Sequence, residues 1–273
     1  MGALQKMRSE HDIDYMKDDT PNANYRAGHT FKERALRARN PGGLKDTALN
    51  VVLRVWDLVS PSEFSSLYRQ IRTRTMCSNA RLRGLYRGVR EVIQNQVPGD
   101  FVECGSALGG SAALIALTLR QLGMSRPLWV FDTFGGLPAP TLDDPDFEIA
   151  KLFTGRCVGT LDEVANLFEQ LQVGEQAQFV KGLFQDTLPT AAVSQIAFLH
   201  IDGDWYESVK TCLDNLYDKV APGGIIQFDD YGYWEGARRA VDEFLAARGV
   251  TIPLKRLDYS GRVLVKPLFS HES

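Results

Sequence analysis

The chain has 273 residues, 44% apolar and 24% charged, enough to bury a full core in one large domain with additions. A formal net charge of −3 offers no basic surface for a polyanion, which argues against nucleic acid as a partner. The four cysteines, Cys77, Cys104, Cys157 and Cys212, form no CxxC pair and no apolar run could span a bilayer, so the reading is a soluble cytoplasmic protein with reduced thiols, no zinc site and no membrane partner.

Residues 1–45 are rich in charge, Pro and Gly and poor in hydrophobic periodicity, which predicts a mobile arm able to act as a lid; residues 46–273 are expected to form a single domain. Ala48–Val59 and Glu63–Ile71 carry two short amphipathic patterns separated by Ser60-Pro61-Ser62, and Arg81–Gln96 carries a third, closed by Pro98-Gly99-Asp100. From that turn strands and helices alternate. Phe101–Cys104, Leu128–Phe131, Ala177–Val180, Ile196–Ile201 and Gly224–Phe228 read as strands, and Ser111–Leu122, Leu161–Leu171, Ser208–Val220 and Gly236–Ala247 as helices. Ile252–Leu257 and Arg262–Val265 read as a closing hairpin. The βαβαβ order predicts an α/β, doubly wound, mostly parallel sheet with an antiparallel terminal hairpin and ligands at the carboxyl ends of the strands. Pro138–Asp146, acidic and proline-rich, is expected to be an insertion loop over those ends.

Three sets of residues could carry chemistry. The first strand runs into Gly105-Ser106-Ala107-Leu108-Gly109-Gly110-Ser111, a glycine-rich turn opening a helix whose unpaired N–H groups suit an anionic or polar ligand. Ala107 stands where the dinucleotide fingerprint requires glycine, so the turn by itself is weak evidence. Asp132 ends the second strand, where a carboxylate can accept from both ribose hydroxyls; together the two tips favour a nucleoside-bearing cofactor without choosing between NAD and S-adenosylmethionine. Asp202 and Asp204 end the fourth strand, and Asp229 and Asp230 the fifth. Neighbouring carboxylates repel and are costly to desolvate, so a divalent cation is their natural compensation, and oxygen-only donors favour magnesium, calcium or manganese. Single strand-end acids are more often merely solvated or capping a helix; three together are less so.

Through RTRTMCSNARL, GDFVECGSALGGS, VFDTFGGLP, FVKGLFQDTLP, HIDGDWYES and APGGIIQFDDYGYWEGARRAVDEF, from about Arg72 to Phe244, the sequence resembles the macrocin O-methyltransferase family, which methylates deoxysugar hydroxyls of macrolides, aminocoumarins and related glycosides. The resemblance implies a class I methyltransferase fold, S-adenosylmethionine and a divalent cation, usually Mg2+, as cofactors, a small-molecule glycoside substrate and a homodimer. It places Thr75 and Met76 near the methionine end of the cofactor, Glu103, Gly105, Ser106 and Ser111 in the binding turn, Asp132 at the ribose, and Gly182, Phe184 and Asp186 near the adenine. It assigns the metal to Asp202, Asp229 and Asp230, with Asp202 also a candidate base. Ser106-Ala107-Leu108 and Trp205 depart from the commoner family pattern, which leaves the acceptor pocket open.

Methyl transfer to a sugar hydroxyl needs in-line geometry and help with the proton. His200, inside a strong central strand, reads as a hydrogen-bonded core histidine, and His29 as a solvated residue of the arm. Trp205, Tyr231, Tyr233 and Trp234 could form an acceptor wall, although ordinary packing explains at least half of them equally well. The rival readings are a catechol-type O-methyltransferase, a nicotinamide-dependent dehydrogenase, and a cofactor-binding module without catalysis.

Overall fold

The computed structural model describes residues 43–267; the arm proposed for residues 1–45, His29 included, lies outside them up to residue 42. Three helices come first: α1 (Gly43–Val59), α2 (Glu63–Ile71) and α3 (Asn79–Gln94). Ser62 and Ser78 start α2 and α3 as N-caps, accepting from Ser65 N and Arg81 N at 3.2 Å each, bonds that contribute about 1 kcal/mol apiece. The alternating part follows as β1 (Asp100–Cys104), α4 (Gly110–Gln121), β2 (Leu128–Asp132), α5 (Phe147–Ala150), α6 (Leu161–Gln170), β3 (Ala177–Lys181), α7 (Phe184–Thr187), β4 (Ile196–Ile201), α8 (Tyr206–Leu216), β5 (Val220–Phe228), α9 (Glu235–Ala247), β6 (Lys255–Arg256) and β7 (Arg262–Val265).

The strands form one sheet in the order β3-β2-β1-β4-β5-β7-β6. The first five are parallel and β7 and β6 antiparallel, as the hairpin signal predicts. Phe101, Val130, Phe198 and Ile225 pack with α2, α3, α4 and α6 in one core layer. Cys104 of β1 meets Cys212 of α8 across the other face, so β1 is buried on both sides from Phe101 to Cys104, the charged Glu103 included.

The fifth strand begins earlier than its sequence suggests. Val220 already pairs with Ile196, and the register slips before Phe198 meets Ile225, so Pro222-Gly223-Gly224 forms an irregularity inside the strand rather than its opening turn. Pro222 cannot donate to a ladder and Gly223 takes φ +77°, a combination that a bulge accommodates. Among the described residues, no helix is long and apolar enough to cross a membrane.

Candidate active site

The reversal of strand order lies between β1 and β4, and the crevice there gathers most of the residues singled out by sequence. Asp202 N donates to Cys104 O at 2.8 Å and Asp229 N to Ile201 O at 2.9 Å, so the tips of β1, β4 and β5 are laced together. Gly105 sits at φ +90°, and a Cβ there would lie 1.9 Å from the carbonyl oxygen of Asp202. Only glycine lets the turn and the acidic tip touch.

The turn is held on two further sides. Asp132 accepts from Ser106 N at 2.6 Å, Ala107 N at 3.1 Å and Phe134 N at 2.7 Å, so the carboxylate expected at a ribose lies beside the turn and organises it. Arg74 O accepts from Gly110 N at 2.9 Å, which lays Thr75 and Met76 across the start of α4; Thr75 is close enough to clash with a Cβ on Gly110. Ala107 occupies the left-handed region at φ +46°, so the backbone adopts there the conformation for which the fingerprint uses glycine. Ser106 Oγ and Glu103 Oε2 are buried and have no protein partner among the described residues. Two orphaned acceptors on one strand-turn segment fit a polar ligand that brings its own donors. Gly182 N donates to Asp132 O at 3.0 Å and the Phe184 ring lies near Gly203, so both stand on the same rim; Asp186 is exposed.

The carboxylates form two overlapping groups. Oxygens of Asp202, Asp204 and Asp230 lie within 4.8 Å of one another, and so do ligand atoms of Cys77, Asp202 and Asp229. Burial, followed by the charges of Asp230 and Asp204, pushes the Asp202 carboxyl well above the usual carboxylate range. Burial and the Asp230 charge do the same to Asp204, and burial raises Asp230. Asp204 takes φ +57° behind Gly203, which turns its side chain back so that Trp234 Nε1 donates to Oδ1 at 2.8 Å and its own N–H reaches Asp230 Oδ2 at 3.2 Å.

Asp229 is turned to the opposite side of Asp202. It is buried and ion-paired with Arg81, with His200 Nε2 at 3.5 Å and the Cys77 thiol at 3.9 Å. Arg81 also faces Asp258 at 3.4 Å, in the turn between β6 and β7, and Asp258 accepts from Ser78 Oγ, Ser260 N and Gly261 N. Burial lowers the guanidinium pKa, but Asp258 and its other neighbours outweigh that and hold it firmly charged. Burial and the charge of Asp202 push the Cys77 thiol up to about 12, so it is a neutral thiol at physiological pH. His200 is the buried, hydrogen-bonded histidine expected, its Nδ1 2.8 Å from Glu103 Oε1. Glu103 is thus committed to the core on one oxygen while presenting the orphaned Oε2.

Arg81 and Asp258 escaped the sequence reading. Arg81 lies inside the RTRTMCSNARL motif, three residues after the N-cap Ser78, but nothing in the one-dimensional pattern reports that α3 aims it at a strand tip 148 residues away. The Pro138–Asp146 loop does cover the strand ends, pinned there by Trp205 Nε1 donating to Pro138 O at 2.8 Å and Tyr206 N donating to Asp144 Oδ1 at 2.7 Å. Trp205 and Trp234 contact edge to face at 5.0 Å, and Tyr233 packs on Trp234 at the same distance.

A family model described as macrocin O-methyltransferase (TylF) matches residues 69–266, which include every one of these site residues. The chain belongs to the macrocin O-methyltransferase family. It is a methyltransferase that uses S-adenosylmethionine to methylate an oxygen. Relatives within this family include the demethyldecarbamoylnovobiocin O-methyltransferase of Streptomyces niveus, 36% identical over 192 residues, covering 68% of this chain and 73% of that protein. The 8-demethyl-8-(2,3-dimethoxy-alpha-L-rhamnosyl)-tetracenomycin-C 4'-O-methyltransferase of Streptomyces olivaceus is 34% identical over 193 residues, with the same coverage. The solved O-methyltransferase NovP superposes with a TM-score of 0.67 at 36% identity, over 71% of this chain and 82% of that one. The fold is the class I methyltransferase sheet that the resemblance implies, built on the doubly wound α/β order predicted from the alternating elements.

Proposed function

We propose that this family member methylates a hydroxyl of a deoxysugar carried by a natural product, in antibiotic biosynthesis, with a divalent cation assisting. The observation that carries the reading is the contact between the glycine turn and an acidic edge, where Gly105 abuts Asp202 and Asp202 lies among three further carboxylates. The relatives' names, a rhamnosyl tetracenomycin and a novobiocin precursor among their substrates, support a glycoside acceptor.

The turn, with Ser106, Ser111 and the orphaned oxygen of Glu103, binds the polar methionine end, and Thr75 and Met76 cover it. Asp132, Gly182, Phe184 and Asp186 are assigned to the nucleoside. The acidic edge suits a hard cation: every donor of Asp202, Asp204 and Asp230 is an oxygen, and the pKa values, raised by burial in all three and also by neighbouring charge in Asp202 and Asp204, mark a charge deficit that protons or a metal must fill. Asp202 and Asp230 would hold the ion, with Asp204 and Asp229 the remaining carboxylates on either side. A bound Mg2+ would acidify a coordinated hydroxyl and stabilise the alkoxide charge. With the methyl donor bound, a carboxylate oxygen of Asp202 would take the proton of the acceptor hydroxyl as that oxygen bonds to the methyl carbon, the electron pair of the broken carbon-sulfur bond staying on sulfur. Trp205 and Trp234 are buried and brace the corner at Asp204, and the half-buried Tyr233 packed on Trp234 is the ring of this cluster assigned to face an amphipathic sugar.

The test is incubation with labelled S-adenosylmethionine and Mg2+ across a panel of deoxysugar glycosides and catechols, read by mass spectrometry. Methylated glycoside is expected, and label entering only catechols refutes the sugar assignment. Asp202→Asn is expected to lower kcat by roughly 10²- to 10⁴-fold, the range for loss of a general base, with S-adenosylmethionine affinity unchanged. If Asp204→Asn alone produces that loss, the base is Asp204.

A further inference from the structure

A row of buried polar side chains crosses the sheet just below the acidic edge. Glu103 of β1 is in register with His200 of β4, and His200 with Gln227 of β5, so the three stand side by side on one face of the sheet. All three are fully buried, at positions where doubly covered parallel strands ordinarily carry apolar residues. Burying polar groups together is costly unless each finds partners.

The partners close a circuit. His200 Nδ1 lies 2.8 Å from Glu103 Oε1, and His200 Nε2 lies 3.5 Å from Oδ1 of Asp229, two residues beyond Gln227 on β5. Asp229 is ion-paired with Arg81, whose backbone oxygen accepts from Gln227 Nε2 at 3.3 Å. Glu103 Oε2 nevertheless stays buried without a protein partner among the described residues. A row that served packing alone would satisfy itself. This one has an open acceptor at its cofactor end and a long, slack contact at its acidic end.

We propose, on the reading that a divalent cation sits at the acidic edge, that His200 is a positioning residue coupling the two halves of the site, so that cofactor at the glycine turn tightens cation binding and the reverse. A cofactor group donating to Glu103 Oε2 fixes that carboxylate, and the short contact to Nδ1 then fixes the imidazole. The rigid ring carries the constraint to Asp229, which has a ligand atom within 4.8 Å of one on Asp202. The second ligand meets carboxylates already ordered and loses less conformational freedom on binding. Linkage makes the gain equal in both directions. Packing is the competing account: it predicts that substitution of His200 lowers stability and leaves any coupling untouched.

Mn2+ is the probe, its free ion counted by electron paramagnetic resonance in the full chain with and without S-adenosylhomocysteine, which has no methyl group to give. The wild type is expected to bind Mn2+ about 5-fold or more tightly when S-adenosylhomocysteine is present, the lower end of couplings between linked sites. His200→Asn keeps a donor near the place of Nδ1 but falls short of Asp229. It is expected to retain its affinity for S-adenosylhomocysteine while the Mn2+ gain disappears. His200→Phe, which keeps neither contact, is expected to lose both. A wild type without the gain overturns the proposal, as does a gain that His200→Asn leaves intact. Mn2+ that binds in neither state removes the cation assignment as well, whereas Mn2+ bound without coupling removes this inference alone.

Should those variants fail to fold, nitrogen magnetic resonance of isotope-labelled histidine decides, in a full chain carrying His11→Gln, His29→Gln and His271→Gln so that His200 alone reports. With S-adenosylhomocysteine bound, added Mg2+ is expected to shift the Nδ1 resonance, at the Glu103 end of the ring. An Nδ1 resonance that does not respond overturns the proposal.

Discussion

Arg81 is the residue on which the acidic edge balances, because a single guanidinium answers both Asp229 and Asp258 in a nearly dry setting. Replacing it by Met removes the charge and leaves two buried carboxylates uncompensated, which is expected to cost about 3 kcal/mol, measured as a fall in the urea midpoint at unchanged slope. An effect below about 1 kcal/mol would mean that water already screens the pair. Ala107 offers a change of opposite sign. Its left-handed backbone costs an L-residue about 1–2 kcal/mol, whereas glycine loses 0.5–1 kcal/mol of chain entropy, so Ala107→Gly is expected to stabilise by roughly 0.5 kcal/mol. Thermal melting checks it, and a lowered melting temperature would show that the methyl group packs usefully. The two positions differ in what the sequence reveals of them. Ala107 was legible as an anomaly in a glycine pattern, but Arg81 looks like any other arginine of a charged helix until α3 is docked.

The elements were legible wherever local and tertiary demands agree. Buried parallel strands favour apolar runs, so Leu128–Phe131 of β2 and Ile196–Leu199 of β4 declare themselves, β1 shows through Phe101 and Val102 after the Pro98-Gly99 turn, and the hairpin shows through Ser260-Gly261. The onset of β5 was hidden because Pro222-Gly223-Gly224 has the composition of a turn, and only pairing on both sides, Ile196 to one and Lys266 to the other, draws it into the sheet. The acidic edge was legible as a set of aspartates on two strand tips but not as a geometry. A left-handed residue at Asp204 and an arginine beside Asp229 rotate the groups so that Asp204 joins Asp202 and Asp230. The acidic loop was placed correctly over the strand ends, and its attachment gives it a testable function. Asp144 accepts from the backbone N–H groups of Thr141 and Tyr206, tying the loop to the first residue of α8 and so to the Asp202–Trp205 corner. Asp144→Ala is expected to lower stability by about 1 kcal/mol, as for a lost N-cap, and to raise KM for the acceptor more than it lowers kcat. Limited proteolysis should show faster cleavage between residues 138 and 155; an unchanged cleavage rate would mean that Trp205 and Pro138 alone hold the loop.

The molecule as a whole concentrates acid where its strands end, and this links its stability to pH and to divalent cations. Asp202, Asp204 and Asp230 all have carboxyls raised by burial, the first two also by like charge, so the folded state retains protons that the unfolded chain releases above about pH 4. In that window the unfolded state binds fewer protons than the folded one, and the contribution of this cluster to stability falls as pH rises through the raised values. A divalent cation binds the ionised carboxylates and competes with those protons, so its stabilising effect must grow along the same axis. The difference in melting temperature between saturating Mg2+ and EDTA is therefore expected to be small near pH 5 and larger at pH 8. Calorimetric scans at both pH values, with Asp202→Asn beside the wild type, measure it. In the variant one carboxylate is gone, the charge deficit is smaller, and the pH-dependent gain from Mg2+ should shrink while melting in EDTA at pH 8 rises. A Mg2+ effect that is absent at pH 8, or equal at the two pH values, would separate the acidic edge from metal binding and leave its aspartates to act through protons alone.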